Sequence, residues 1–456
     1  MKVCKFGGTS LADAVQVKKV CSVVVSDPSR RIVIVSAPGK RHKKDTKVTD
    51  LLIALAEKKL SGSDTEKELM AVVDRYREIQ EETGAPADVT KEIEADLRKR
   101  LTIDHSNKAR FLDTMKAAGE DNSARLVAAV FKKLGHEAHY INPADAGMLL
   151  TAEYGNAQLL PESYTKLAEL KHAPGISVFP GFFGYTKDGD VVTFPRGGSD
   201  ITGSIISAAV KAEVYENFTD VDSVCAVDPG IVPDVAPIPE LTYREMRELS
   251  YAGFGVLHEE AIIPAVRAGV MINIRNTNNP EHPGTRIVTK RNVAHGSIVG
   301  IACGDGYVSF YIDKYLMNRE IGFGRRLLQI FEDEGLSYEH SPSGIDNICV
   351  IIRDSTVKPE RIDQIVSRIK KDLNPDNIQV EHDYSMIMIV GEGMQYTPGI
   401  LAKAAKAFAD VGVNIEIVNQ GSSETSIMFG VKTKDVKISV KALYEAFFVK
   451  TSSAKS

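Results

Sequence analysis

Val3-Cys4-Lys5-Phe6-Gly7-Gly8-Thr9-Ser10-Leu11 reads as a short apolar strand that breaks into two glycines and two hydroxyl residues, with a helical pattern running on from Leu11 to Val25. Glycines directly after a strand let the backbone come close to a ligand, and their amides can turn toward anionic oxygens. Thr9 or Ser10 can cap the following helix, whose N-terminal dipole favours phosphate. Lys5 adds a full positive charge at the same edge. The G-x-x-x-x-G-K-[ST] phosphate loop is absent, so the turn is of another kind. Taken alone, K-x-G-G fits an ordinary glycine turn as well as it fits a phosphate site.

Outward from this strand the pattern alternates. Val3–Phe6, Arg31–Val35, Glu137–Ile141, Ile176–Phe179, Ala212–Asn217 and Val270–Arg275 are predicted strands, and Asp50–Leu60, Asn122–Leu134 and Gly203–Lys211 carry helical apolar spacing. Such alternation predicts an α/β fold, a mostly parallel sheet with helices on both faces. Ser63–Arg100 is charged and helix-like, a helical excursion from the sheet.

The last third of the chain repeats. Met317 pairs with Met394, Gly322 with Gly399, Phe331 with Phe408, Gly335 with Gly412 and Gly344 with Gly421, each second member 77 residues after the first. Each copy reads strand, glycine turn, helix, glycine, strand, turn, strand. Two copies are too few for a solenoid and predict a pair of small βαβ-type modules. The expected division is residues 1–296, then modules 297–383 and 384–450, then a short polar tail 451–456.

The chain has 456 residues, with 56 Lys and Arg against 61 Asp and Glu, a net charge of −5. That balance excludes a protein built to sit on nucleic acid or an anionic membrane. Five scattered cysteines (Cys4, Cys21, Cys225, Cys303, Cys349) and no C-x-x-C argue against a disulfide framework or a structural zinc site and for a reducing compartment. Lone histidines such as His258 and His295 lack ligand spacing, so no resident metal is expected. With no run of ~18 apolar residues and no secretory pattern at Met1-Lys2, a cytoplasmic location is expected.

Two further clusters carry chemistry. Phe194-Pro195-Arg196-Gly197-Gly198-Ser199-Asp200 leads into a small-residue helix, and its Arg196 can grip a carboxylate with a planar fork. Phe218-Thr219-Asp220-Val221-Asp222 follows a strand, where open α/β sheets bind ligands. Each has a plainer reading, an N-cap aspartate and a polar turn.

Together these blocks resemble the aspartate kinases. Val3–Leu11 matches their signature, and Ser36-Ala37, Gly119-Glu120, Gly181-Phe182, Arg196–Asp200, Thr219-Asp220 and Val256-Leu257-His258 fall in the family's order. The repeat pair is similar to the two ACT modules of these enzymes. The resemblance implies an amino-acid-kinase αβα sandwich followed by two ferredoxin-like ACT modules. It implies transfer of the ATP γ-phosphoryl to the β-carboxylate of L-aspartate, opening lysine, threonine and methionine synthesis. Catalytic roles fall to Lys5 and Asp200, and aspartate binding to Ser36, Thr49, Glu120, Phe182, Arg196 and Ser199. The nucleotide falls to Lys5, Phe6, Gly7, Gly8, Thr219, Asp220 and Cys225, with Mg²⁺ carried on ATP.

The substrate carboxylate, with a reference pKa of ~3.9, is already ionised near neutrality. No general base is needed, and catalysis reduces to positioning and charge neutralisation. Three positions depart from many relatives: Cys225 replaces an aromatic residue, Gly230 an arginine and Gly255 a lysine. The basic run Lys40–Lys47 is unlike the compact loop of those relatives and reads as a solvated loop, with an approach to phosphate as the alternative. Met317, Gly322, Phe323 and Ser343 are the expected contacts for an amino-acid effector, lysine or threonine, at an interface that implies a homodimer or homotetramer. The competing readings are another amino-acid-kinase member or a catalytically weak ACT-based sensor.

Overall fold

In a computed structural model, the structure describes residues 1–195, 197–255, 257 and 259–449. The first elements are β1 (Lys2–Phe6), α1 (Ala14–Val25), β2 (Arg30–Val35), α2 (Val48–Leu60), α3 (Glu66–Thr83), α4 (Asp88–Leu101), α5 (Lys108–Lys133) and β3 (Ala138–Tyr140). There follow α6 (Ser163–Leu167), β4 (Ile176–Pro180), β5 (Phe183–Tyr185), β6 (Val191–Thr193), α7 (Gly198–Ala209) and β7 (Val214–Thr219). Then come β8 (Glu240–Thr242), α8 (Tyr243–Tyr251), α9 (Ile263–Ala268), β9 (Met271–Asn276) and β10 (Thr285–Val288). The chain divides into two units: Met1–Val224 with Pro237–Met246 and Gly255–Arg291, and Cys225–Ala236 with Arg247–Phe254 and the chain from Asn292 onward.

The first unit holds an eight-stranded sheet in the order β3-β4-β2-β1-β7-β9-β10-β8. Every neighbouring pair is parallel except β9 with β10. The central strands β1, β2 and β7 are buried almost end to end, as a sheet covered on both faces requires. Alternate residues of β1 go to opposite faces. Cys4 and Phe6 join the apolar core with α1 to α5, whereas Lys5 turns toward α7. Phe6 matches Val35 and Phe218 in register, and Val35 matches Pro180, so the carboxyl ends of β1, β2, β4 and β7 finish level.

Two local expectations change. The helix after β1 starts at Ala14, not Leu11, and its cap is Asp13, whose carboxylate accepts from Gln16 N at 2.9 Å. Thr9 and Ser10 instead lie in a single 3₁₀ turn, with the Ser10 hydroxyl bonded to that of Thr277 at 2.7 Å. The helix expected over Asn122–Leu134 starts much earlier, at Lys108.

The second unit contains β11 (Gly300–Asp313), α10 (Phe323–Asp333), β12 (Asn347–Arg353), α11 (Pro359–Leu373), β13 (Asn377–Val390), α12 (Ile400–Asp410), β14 (Ile417–Asn419), β15 (Ser426–Lys432) and α13 (Val436–Phe448). Its strands form one antiparallel sheet, β12-β11-β13-β15-β14. The repeat is visible in three dimensions. Gly322 and Gly399 open α10 and α12 with φ of +80° and +90°, a conformation that L side chains resist. Phe331 and Phe408 anchor two separate apolar cores.

The repeats are interlocked through their longest strands. Tyr307–Asp313 of β11 pairs with β12 and with the first half of β13, whereas Gly300–Gly304 pairs with Met386–Val390 in the second half. Ile301 accordingly packs in the core of the second repeat, beside Ile387 and Phe429. The division expected at 383/384 falls inside β13.

Candidate active site

The level carboxyl ends of the first unit's strands bring the sequence blocks to one place. Lys5, Gly7, Gly8, Ser36, Thr49, Glu120, Phe182, Ser199 and Asp200 line a single cleft of about 250 Å³, together with Pro195, Gly197 and Gly198.

Lys5 is buried, and its ammonium lies 2.6 Å from Asp200 Oδ1. Asp200 sits in the first turn of α7, and the same oxygen accepts from Asn217 Nδ2 at 2.8 Å. Asn217 is the register partner of Lys5 on β7, so three side chains from two strands and a helix fix one another. Close packing of α7 on β7 makes this possible: a Cβ on Gly203 would lie 2.5 Å from the Tyr215 hydroxyl. That contact accounts for the glycine at position 203.

Glu120 approaches from α5. Its Oε1 accepts from the Ala37 amide at 3.1 Å, while Oε2 is buried with no hydrogen-bond partner. Burial pushes the Glu120 carboxyl up to about 8, because desolvation disfavours the charged form. A buried carboxylate oxygen without a donor, on the wall of a cleft, is matched to a cationic ligand group.

Phe182 holds a left-handed backbone, φ +76°. Its amide donates to the Thr202 hydroxyl at 3.0 Å and its carbonyl accepts from Phe194 N at 2.9 Å. Beside it, a Cβ on Gly181 would sit 2.6 Å from Ser199 Oγ and 2.8 Å from Ser199 Cα. Gly181→Ala is therefore expected to push the first turn of α7 outward, lowering stability by about 1–3 kcal/mol, the usual cost of overpacking. A denaturant midpoint read together with the KM for aspartate checks this; an unchanged midpoint counts against the tight approach.

Other expected residues are placed differently. The Phe6 ring is fully buried and stacks on Phe218 with centroids 4.8 Å apart, so Phe6 has only its backbone to offer a ligand. The Gly7 amide donates to the Phe218 carbonyl at 3.2 Å and is not free for a phosphate oxygen. Thr219 ends β7 and Asp220 follows it, the Thr219 hydroxyl donating to Asp220 Oδ1 at 3.2 Å, and neither lines the cleft. Cys225 belongs to the second unit. Arg196 lies outside the described residues, as do Val256 and His258.

In the second unit, Met317 and Phe323 are buried in the core of the first repeat. Gly322 supplies the turn before α10, and Ser343 lines a separate groove of about 560 Å³ with Tyr311, Gln379 and Glu416. The side chains of Met317 and Phe323 thus serve a core, while the turn at Met317 meets the turn after Ser343, Asn318 N donating to Ile345 O at 3.2 Å. The turn around Met317 instead presents Tyr315 and Ile321, 73% and 99% exposed.

Residues 1–276 match the amino acid kinase family and residues 387–447 the ACT domain. Over 448 residues the chain is 54% identical to aspartokinase 3 of Bacillus subtilis, covering 98% of this chain and 99% of that one. The chain belongs to the aspartokinases. They are ATP-dependent phosphotransferases that use the β-carboxylate of aspartate as acceptor. The aspartokinase fold here matches the crystal structure of Clostridium acetobutylicum aspartate kinase with a TM-score of 0.88 and 38% identity, covering 98% of this chain and 100% of that one. Escherichia coli aspartokinase III, solved with aspartate and ADP, shares the fold at a TM-score of 0.78 and 21% identity, over 98% of this chain and 100% of that one. The same enzyme solved with lysine and aspartate gives a TM-score of 0.75 at 21% identity, over 98% of this chain and 99% of that one.

Asn217 is the positioning residue that sequence reading missed. Its signal was an amide inside a strand that is buried almost end to end, directly before Phe218-Thr219-Asp220.

Proposed function

We propose that the cleft beneath Lys5 and Glu120 is where this aspartokinase joins aspartate to the terminal phosphoryl of ATP. The observation that carries the reading is the pairing, in one cleft, of a fixed ammonium with a buried carboxylate whose second oxygen has no partner. The substrate's β-carboxylate oxygen attacks the γ-phosphorus in line, the bond to the β,γ-bridging oxygen breaks, and ADP departs with that electron pair. Lys5 neutralises charge on the migrating group, and Asp200 with Asn217 holds Lys5 in place.

Glu120 takes the α-ammonium of aspartate, and Arg196 the α-carboxylate. Ser36, Thr49, Phe182 and Ser199 complete the aspartate pocket, with Thr219 and Asp220 on the nucleotide side. Among the described residues, no group of three His, Cys, Asp or Glu side chains is arranged to hold a metal. A magnesium ion carried on the nucleotide would draw charge from the phosphate oxygens.

The repeat pair serves as the regulatory half, residues 297–383 and 384–450, and lysine is the first effector to test, threonine the second. The lysine complex of E. coli aspartokinase III, a protein of the same fold, supports that order. A homodimer or homotetramer in the cytoplasm completes the reading. No helix among the described residues is long and apolar enough to cross a membrane.

Hydroxylamine trapping tests the reaction. With MgATP and aspartate the full chain should accumulate the hydroxamate, glutamate should give little, and added lysine should suppress the signal. Equal trapping with glutamate refutes the substrate assignment, and no trapping with either refutes the transfer itself.

A further inference from the structure

The charge balance of the cleft is incomplete. Its one described cation, Lys5, is neutralised by Asp200 at 2.6 Å, and Glu120 adds a second carboxyl. The proposed reactants bring further negative charge, from a triphosphate and a dicarboxylic amino acid. Directly beside the cleft lies the most cationic stretch of the chain, Lys40-Arg41-His42-Lys43-Lys44-Asp45-Thr46-Lys47.

Both ends of this loop are rooted at the site. Ser36 precedes it and Thr49 follows it, and both line the cleft. Gly39 N donates to Gly8 O at 2.8 Å, and a Cβ on Gly39 would lie 2.6 Å from the Gly8 carbonyl carbon. The loop therefore springs from direct contact with the glycine turn that follows Lys5.

A buried arginine holds the loop in shape. Arg75, only 4% exposed, donates to the carbonyls of Thr46 at 2.8 Å, Gly39 at 2.8 Å and Ala12 at 3.3 Å, and meets Asp45 at 3.2 Å. Arg41 is engaged by Asp45 and Glu78, and Lys47 by Asp50. Lys40, Lys43 and Lys44 are exposed and form no ion pair among the described residues. Arg75 thus fixes the backbone of the loop, and the three exposed lysines it carries keep their ammonium groups available to an anionic ligand.

We infer that Lys40–Lys47 is a phosphate-docking rim, on which Lys40, Lys43 and Lys44 engage the polyphosphate of MgATP at the mouth of the cleft. Arg75 is its positioning residue. The inference rests on the cleft being the seat of phosphoryl transfer.

The test uses the full chain carrying K40A, K43A and K44A together, with the KM for MgATP measured from low to high salt. At low salt that KM should rise about tenfold, the summed effect of three partly screened charges, while the KM for aspartate moves less than about twofold. The difference should close as salt screens the rim. Arg75→Met should reproduce the rise with all three lysines present; if that variant fails to fold, the triple variant, whose three side chains are exposed, decides. An unchanged KM for MgATP, a rise that ignores salt, or an equal rise for aspartate overturns the inference. Absence of hydroxamate from the unaltered chain overturns the reading of the cleft instead.

Discussion

Lys5→Ala lowers kcat by about 10³-fold or more while aspartate still binds. Removing one preorganised donor from a developing oxyanion costs on the order of 10²–10³ in kcat, and Lys5 carries a full charge. The loss is larger here because of what remains. Asp200 keeps its bond from Asn217 but loses its cation, so an unneutralised carboxylate faces the incoming phosphoryl. It follows that Lys5→Ala with Asp200→Asn is no worse than Lys5→Ala alone, since the two side chains act as one unit. Steady-state rates at saturating MgATP and aspartate read kcat, and thermal protection by aspartate reads binding. Near-normal turnover in Lys5→Ala removes it from the chemistry; strictly multiplicative losses in the double variant separate the pair.

Glu120→Gln raises the KM for aspartate on the order of 10²-fold, within the range for truncating one side of a buried charge pair. It also flattens a pH dependence. The free protein holds the Glu120 carboxyl at about 8, so near neutrality that group is mostly protonated and must lose its proton to receive an ammonium. The unaltered chain should therefore bind aspartate more tightly as pH rises toward 8, releasing a proton on binding at lower pH, and the amide variant should not. Stability runs the other way. A carboxyl raised from 4.5 to about 8 by burial stabilises the fold fully below the lower value, and that contribution is lost as pH climbs through the higher one. Saturating aspartate should restore it, and Glu120→Gln should abolish both the slope and the restoration. A KM for aspartate that is flat with pH in the unaltered chain refutes the pairing.

The sheet was legible because parallel strands are buried on both faces and read as continuous apolar runs; β1, β2, β4, β7 and β9 all fall within two residues of their expected positions. Short β8 and β10 and the β5–β6 hairpin were not, since three or four residues carry too little pattern. The early start of α5 was hidden by Asp113, whose carboxylate is buried to accept from Gly155 N and Thr193 N at 2.7 and 2.9 Å. A charged residue on a buried face erases the amphipathic period.

Within the cleft, the motif residues were visible as clusters of glycine, charge and hydroxyl. Invisible were the contacts that spend those groups. The Gly7 amide is taken by the Phe218 carbonyl, and Met317 and Phe323 are taken by a core. One residue type serves packing and binding equally well, and only tertiary context separates the two.

The exchanged strand halves of β11 and β13 make the regulatory half indivisible. A fragment starting at residue 384 keeps its own helices α12 and α13 but forfeits Gly300–Gly304, leaving Met386–Val390 with a bare backbone edge. The reciprocal fragment loses the far side of β11 in the same way. Neither repeat can be transplanted, duplicated or deleted as a cassette, so recombination can inherit the two only as a pair. A pull applied at one end of β11 also has no route to ground through a single repeat: the strand belongs to both cores, and whatever shifts it is felt twice.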